Sequence, residues 1–339
     1  MPTAYLSPFV NETNDYINRM KDILGGCGYT VAPMSFKTLL STKVAGLFRR
    51  DNIVLVHWLE TRAFKKGPNG ARIDLPGLLQ VAIYLAVMAV MRARLVYFVH
   101  DHAVHDLTGW RRTFSVRLIA LLRRMADIRV VHDPSYSATY SATYLPHPLY
   151  RDRDLGAQRP ARTEGTLKAG ILGAIRPYKR VEHIIDVWPA GPLLRIRGRC
   201  DPSYEQLLRD HIQARGPDVR IELHVGFMSR EEFEAELNQL DALLLPHADE
   251  SALVSGAFFE AIGATPLVIA RSTPFIQWAS TQFAGLMCYD QEQALQALLH
   301  DASNRPTSLM TQQRPDAQTA MDLFGLHTCI ARYTSALQR

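Results

Sequence analysis

Short apolar runs separated by helical patterns dominate this chain, and no other feature restricts its fold as much. AYLSPF, NIVLVHW, LVYFVH and IRVVHD mark the first half; LKAGILG, LLRIRG, RIELHVG, DALLLP and PLVIA mark the second. Runs of this kind, with helices between them, predict parallel sheets covered by helices on both faces. The helical patterns match that expectation. Val181, Ile184, Ile185 and Trp188 recur at i, i+3, i+4 and i+7, which lines one helix face with apolar groups for a sheet. Ser229 and Glu232 have capping-box spacing ahead of Phe233, Leu237 and Leu240.

At 339 residues the chain is long enough for two ordinary domains. PHPLYRDRDLGAQRPARTEG, residues 146–165, is rich in Pro, Gly and charge, lacks apolar periodicity, and reads as the connection between them. The expected division is an N-terminal Rossmann-like domain over 1–150, a linker over 151–165 and a C-terminal Rossmann-like domain over 166–318. A terminal helix over 319–339, carrying Leu323, Ile330, Tyr333 and Leu337, is expected to pack back towards the first domain. Two doubly wound α/β domains place ligands at the carboxyl ends of their strands, in a cleft between the sheets.

Composition removes several function classes. With 47% hydrophobic and 21% charged residues the chain is globular, not disordered. No basic-then-apolar leader opens it, so a cytoplasmic location is expected. The longest apolar run, LLQVAIYLAVMAVM at 78–91, is short for a membrane span and reads as a buried helix covering a sheet. Cys27, Cys200, Cys288 and Cys329 form no CxxC pair and fit reduced thiols. A net charge of +5 favours anionic partners. No helix-turn-helix, zinc-finger or RNP motif directs that charge to nucleic acid, which is not an expected partner.

Three constellations suit chemistry. Gly173, Arg176 and Lys179 lie between a strand and a strongly periodic helix. A glycine that lets the backbone approach and two cations make a phosphate cradle. In ADESALVSGAFFEAIGATPLVIA, residues 248–270, Glu250 and Ser251 follow a strand, and Ser255 and Gly256 open a helix containing Glu260. Ser255 and Gly256 offer a hydroxyl and unhindered N–H groups to phosphate, and Glu260 suits a ribose diol. The third group is His100, Asp101, His102, His105 and Asp106, a dense set of proton-accepting side chains at a strand end.

Taken together, these stretches resemble the GT-B glycosyltransferases. GAIRPYKRVEHII followed by LLLPHADESALVSGAFFEAIGATPLVIA is similar to their donor half, which binds a nucleotide-sugar. The retaining family 4 pattern has two glutamates with seven residues between them; Glu250 and Glu260 have nine, and the SG before the helix resembles a subgroup of bacterial exopolysaccharide enzymes instead. VLVHWLE at 54–60 resembles that subgroup's HWPE strand end, with Leu59 for proline. YFVHDHAVHD at 97–106 resembles TVHNxxPHE, with Asp101 for Asn and Asp106 for Glu, and YLPHPLY resembles the segment leaving the first domain. Within the subgroup the closest resemblance is to the xanthan-type β-1,4-mannosyltransferases. It implies GDP-mannose as donor, a polyprenyl-diphosphate-linked oligosaccharide as acceptor, and inversion at the sugar.

Inverting transfer needs a base for the acceptor hydroxyl. Asp101 and His105 are the leading pair, with Asp106 placed to orient His105, and His100 completes the group. His57 in the HWLE stretch and Asn14 and Asp15 in the loop SPFVNETNDY are acceptor-side candidates. Phe227, with Gly226, is a candidate contact for the donor base. The resemblance implies no metal and no cofactor beyond the nucleotide-sugar, because cations neutralise the departing diphosphate. In GWRRTFSVRLIALLRRM, residues 109–125, an apolar stripe of Phe114, Leu118, Leu121, Leu122 and Met125 is accompanied by Arg112, Arg117, Arg123 and Arg124. These arginines are expected to meet anionic lipid, making a peripheral protein of the inner leaflet with no spanning helix.

Overall fold

The computed structural model describes residues 1–11, 15–67, 70–105, 107–155, 166–246, 252–304 and 315–338. The chain forms two compact units. One comprises Met1–Tyr150, Glu250–Val254 and Phe324–Arg339; the other comprises Arg151–Asp249 and Ser255–Leu323. Of the expected linker, residues 156–165 lie outside the described residues.

In the first unit the strands are β1 (Thr3–Ser7), β2 (Thr30–Pro33), β3 (Ile53–His57), the hairpin β4 (Phe64–Gly67) and β5 (Gly70–Ile73), β6 (Arg94–Val99), β7 (Ile128–Val131) and β8 (Thr143–Tyr144). Apart from the hairpin they form one parallel sheet in the order β2-β1-β3-β6-β7-β8. All five residues of β3 are buried, because both faces of the sheet are covered. Val54 and Val56 pack in a cluster with the helices Leu75–Val90 and Gly109–Met125. Ile53 and Leu55 pack on the other side with Tyr16–Gly26 and Leu326–Leu337. Each such side chain stabilises the fold by about 1.5–3 kcal/mol. The terminal helix is fastened by Tyr333, whose hydroxyl donates to the Pro146 carbonyl at 3.2 Å.

The second unit repeats the plan with β9 (Lys168–Leu172), β10 (Leu193–Gly198), β11 (Arg220–Val225), β12 (Ala242–Leu245), β13 (Leu267–Arg271) and β14 (Leu286–Tyr289), all parallel, in the order β11-β10-β9-β12-β13-β14. Val181, Ile184, Ile185 and Trp188 are buried against this sheet. Ser229 and Glu232 form the capping box in full. In both sheets the strand order turns back, between β1 and β3 and between β9 and β12. In doubly wound sheets ligands bind outside the carboxyl ends of the strands at such a reversal.

Two expectations about helices need correction. The apolar helix Leu75–Val90 buries Val81, Tyr84 and Met88, yet Leu75, Leu79, Ile83 and Val90 stand in solvent. On Gly109–Met125, Leu118 and Leu122 are buried while Leu121 is exposed, so the packed stripe is narrower than the sequence pattern. Arg112, Arg117 and Arg124 are exposed. Arg123 is not: its guanidinium lies 4.5 Å from the centre of the Tyr140 ring, which takes it off the solvent face.

Candidate functional site

The chain leaves β9 through Gly173, whose φ of +94° is open to glycine and strained for other residues. Gly198, leaving β10, has no room for a Cβ, which would stand 1.7 Å from the Gly173 carbonyl oxygen. The two turns therefore lie against each other and direct residues 176–180 over the end of the sheet. Arg176 pairs with Asp201 at 2.7 Å and is partly solvated. Lys179 is different. It is 6% exposed, and its ammonium makes no hydrogen bond or ion pair with another side chain among the described residues. Burial, and then the neighbouring Arg176 charge, push its ammonium down to about 8. A cation buried without a counter-charge is costly unless an anion joins it.

The helix that follows is short, Val181–Val187, and its first N–H donates to the Tyr204 hydroxyl at 3.0 Å. Glu182 in its first turn offsets the cations against the helix dipole. An anion placed here would meet Lys179 and Arg176 more than the helix end.

Leaving β12, Ser255 precedes the helix Gly256–Ala261 without capping it through its side chain. Glu260 is half-buried, not a surface residue. Burial raises its carboxyl, against the pull of Arg230 and Arg153. Arg153 closes the same helix, donating to the carbonyls of Phe259 at 2.7 Å, Glu260 at 3.0 Å and Ile262 at 2.9 Å. At the end of β11, Phe227 is 69% exposed with the Arg199 guanidinium 4.4 Å from its ring centre. An exposed aromatic stacked on arginine is a platform for a planar base. Glu260→Gln is expected to lower nucleoside-diphosphate affinity about five- to tenfold, the difference between charged and neutral hydrogen bonding. Titration calorimetry checks this, and unchanged affinity would remove Glu260 from the site.

In the first unit, Asp101 and His105 come together: His105 Nε2 lies 3.3 Å from Asp101 Oδ1. The Asp101 side chain is 9% exposed and that of His105 41% exposed, so the imidazole is the member of the pair open to solvent. Asp101 is held by an antiparallel bridge to Ala252, and the Leu253 N–H donates to the His100 carbonyl at 3.1 Å. His102 is bonded to the Tyr140 hydroxyl, which takes it away from the pair.

His100 points elsewhere. With His57, His132 and His147 it surrounds Tyr16, with ring centres 4.8–5.7 Å from the tyrosine ring. His132 Nδ1 donates to the Leu145 carbonyl at 2.8 Å, so its Nε2 accepts from the Tyr16 hydroxyl at 2.7 Å. His57 Nδ1 and His100 Nε2 lie 2.9 Å apart, one donating to the other. Burial, first of all, holds His57, His100 and His147 well below the ordinary histidine range and brings His132 down to about 4. The cluster is therefore neutral at physiological pH. It joins the ends of β3, β6 and β7, and its His100 is the chain neighbour of Asp101. Trp58, stacked 4.2 Å from His100, has a φ of +51°, a strained backbone of the kind found where function demands it.

Several functional candidates escaped the sequence reading. Glu60 is buried, accepts from the Tyr97 hydroxyl at 2.9 Å, and is pushed up to about 7 by burial, with the Asp101 charge contributing. Arg153, Arg199, Tyr16, His132 and His147 were also missed. A signal was present: three adjacent strands run into histidine, in VLVHW, YFVHD and VVHD. Asp15 precedes the helix Tyr16–Gly26 and accepts from Asn18 at 3.3 Å. Asn14, Asp106, Glu250 and Ser251 lie outside the described residues.

No family model matches the sequence. Two curated relatives do, both GDP-mannose:glycolipid 4-beta-D-mannosyltransferases of Xanthomonas campestris pv. campestris. They are 28% and 27% identical over 239 residues, or 69% of this chain and 64% of each relative. The matched region thus spans less than two thirds of those proteins. Among solved structures, Anabaena HepE in complex with UDP and glucose aligns with a TM-score of 0.67 at 14% identity, over 100% of this chain and 99% of its own. Sucrose-phosphate synthase from Thermosynechococcus elongatus aligns with a TM-score of 0.65 at 12% identity, over 100% and 98%. The fold is accordingly GT-B, with two Rossmann-like units.

Proposed function

We propose that this chain is a glycosyltransferase that moves a hexose from a nucleotide-sugar to a lipid-linked oligosaccharide, with GDP-mannose as donor and a polyprenyl diphosphate carrying the acceptor. The observation that carries the reading is Lys179: a buried ammonium without a counter-charge among the described residues, beside Arg176, at the switch point of a GT-B sheet. A diphosphate supplies the missing charge. Phe227 and Arg199 take the base, Glu260 the ribose, and Ser255 and Gly256 the phosphates. Lys179 and Arg176 neutralise the departing diphosphate without a divalent ion.

On the acceptor unit, His105 removes the hydroxyl proton as the oxygen attacks the anomeric carbon, and Asp101 holds the imidazole and stabilises its charged form. Attack from the face opposite the leaving group inverts the sugar. The GDP-mannose:glycolipid mannosyltransferase activity of the Xanthomonas relatives supports mannose and a glycolipid. No helix among the described residues is long and apolar enough to cross a membrane. Exposed Arg112, Arg117 and Arg124 suit peripheral attachment at the inner leaflet.

A thermal-shift screen of GDP-, UDP- and dTDP-sugars tests the donor reading. GDP-mannose should raise the melting temperature most, and proton NMR of the product should show the β-anomer. An α-linked product would favour a retaining family-4-type enzyme. Binding without transfer or hydrolysis would make the protein a nucleotide-sugar-binding module.

A further inference from the structure

We infer that the exposed apolar face of the helix Leu75–Val90 lies in the headgroup–acyl boundary of an anionic bilayer and is the membrane anchor of this protein. The inference deepens the glycolipid reading and rests on it. Leu75, Leu79, Ile83 and Val90 are 75%, 62%, 36% and 64% exposed. Ala82, Ala86 and Ala89 are exposed between them, which makes the stripe continuous along one helix face. The helix, LPGLLQVAIYLAVMAV, holds no charged side chain. Single exposed aliphatic groups are ordinary on a protein surface; an uncharged stripe over four turns marks an interaction face.

The opposite face is already committed. Val81, Tyr84 and Met88 are in the core, and the Tyr84 hydroxyl donates to the Met34 carbonyl at 2.9 Å. Sixteen helical residues reach about 24 Å, short of the roughly 30 Å hydrocarbon layer. The helix can therefore lie in the interface plane but not cross it.

Charge identifies the occupant. Lys65 and Arg72 are exposed ahead of the helix and Arg92 after it. Asp74, its N-cap, is engaged with the Gly77 N–H at 3.0 Å. The helix Gly109–Met125, packed against it, carries Arg111, Arg112, Arg117, Arg123 and Arg124 and no acidic residue. Its exposed residues mix Arg112, Arg117 and Arg124 with Trp110, Val116 and Leu121. Aliphatic groups bordered by arginine and tryptophan match a bilayer surface, with cations at lipid phosphates and apolar groups below them. A second copy of the chain would bring the same cations against one another.

The test uses the full chain with vesicles of phosphatidylglycerol and phosphatidylethanolamine. Leu79→Glu/Ile83→Glu should partition at least tenfold more weakly than wild type, with an unchanged melting curve because both positions are in solvent. Leu79→Trp should gain a blue-shifted emission that brominated lipids quench beyond wild type. Part of wild-type binding should survive salt that abolishes purely electrostatic attachment. Wild-type partitioning by the double variant, or no added quenching of Leu79→Trp, overturns the anchor. So does a wild-type dimer that the same substitutions turn into a monomer, since the face would then be a self-association surface. On a short-chain, water-soluble acceptor diphosphate, Leu79→Glu/Ile83→Glu should transfer sugar at the wild-type rate. Vesicle binding by a wild type that transfers no sugar to any acceptor would sink the enzyme reading and leave the anchor standing.

Discussion

Replacing His105 with glutamine is expected to slow transfer by about two to four orders of magnitude while donor affinity stays within about twofold. Glutamine keeps much of the size and hydrogen bonding of the imidazole but cannot take a proton near neutrality. The loss should fall on kcat, because the proton moves only as the acceptor oxygen attacks. Asp101→Asn should lower kcat in the same direction through a different route. Its carboxylate lies 3.3 Å from His105 Nε2, and in the proposed mechanism it stabilises the imidazolium that forms. Since Asp101 works through His105, the double variant should lose little more than His105→Gln alone. Additive losses would mean two independent roles. If His105→Gln, Asp101→Asn and Asp106→Asn all retain near-normal rates, the base is elsewhere, and Asn14 and Asp15 become the next positions to replace.

The pair was legible in the sequence because strand-end residues in a doubly wound sheet have few places to go. YFVHD runs a buried strand into His100 and Asp101, and a turn then brings His105 back onto Asp101. What sequence spacing did not convey is which way each side chain points. His100 and Asp101 are neighbours, and one enters the Tyr16 cluster while the other meets His105. The cluster itself depends on register: His57 aligns with Phe98, and Val99 with Val131, so histidines ending β3, β6 and β7 meet although they are far apart in the chain.

Edge strands were harder to read than central ones. The strands β2, β8 and β14 all lie at sheet edges, where pairing on one side suffices and no continuous apolar run is needed. Amphipathic pattern also misled in one direction. LLQVAIYLAVMAVM was read as buried because it is uniformly apolar, yet only one of its faces has a protein surface to cover it. Arg176 and Lys179 looked equivalent in sequence. They differ because Asp201 happens to reach Arg176, a contact between residues 25 apart that no local pattern encodes.

That difference leads to the second large effect. Lys179→Met should weaken donor binding roughly ten- to hundredfold, the worth of about 1.5–3 kcal/mol for a charge-assisted hydrogen bond to phosphate. It should also make the ligand-free protein more stable. The folded-state ammonium titrates near 8, against 10.5 for an unburied lysine. Below pH 8 both folded and unfolded chains hold the proton, and the full burial cost is present, about 3 kcal/mol at 1.36 kcal/mol per unit. Between about pH 8 and 10.5 the unfolded chain binds more protons, so the stability of the ligand-free protein rises with pH and the cost disappears. Methionine fills the same space without that cost, so its advantage should be largest at pH 7 and fade by pH 10. Donor binding should show the opposite trend in the wild type. A bound diphosphate holds the proton on Lys179, so affinity should fall above pH 8 by up to about tenfold per unit. Arg176→Ala should cost less, because Asp201 already shares that cation. Thermal melts with and without GDP across pH 7 to 10 read both trends at once. Equal donor affinity in Lys179→Met, or the same pH dependence with and without the lysine, would leave the buried cation without a ligand and the donor assignment without its main support.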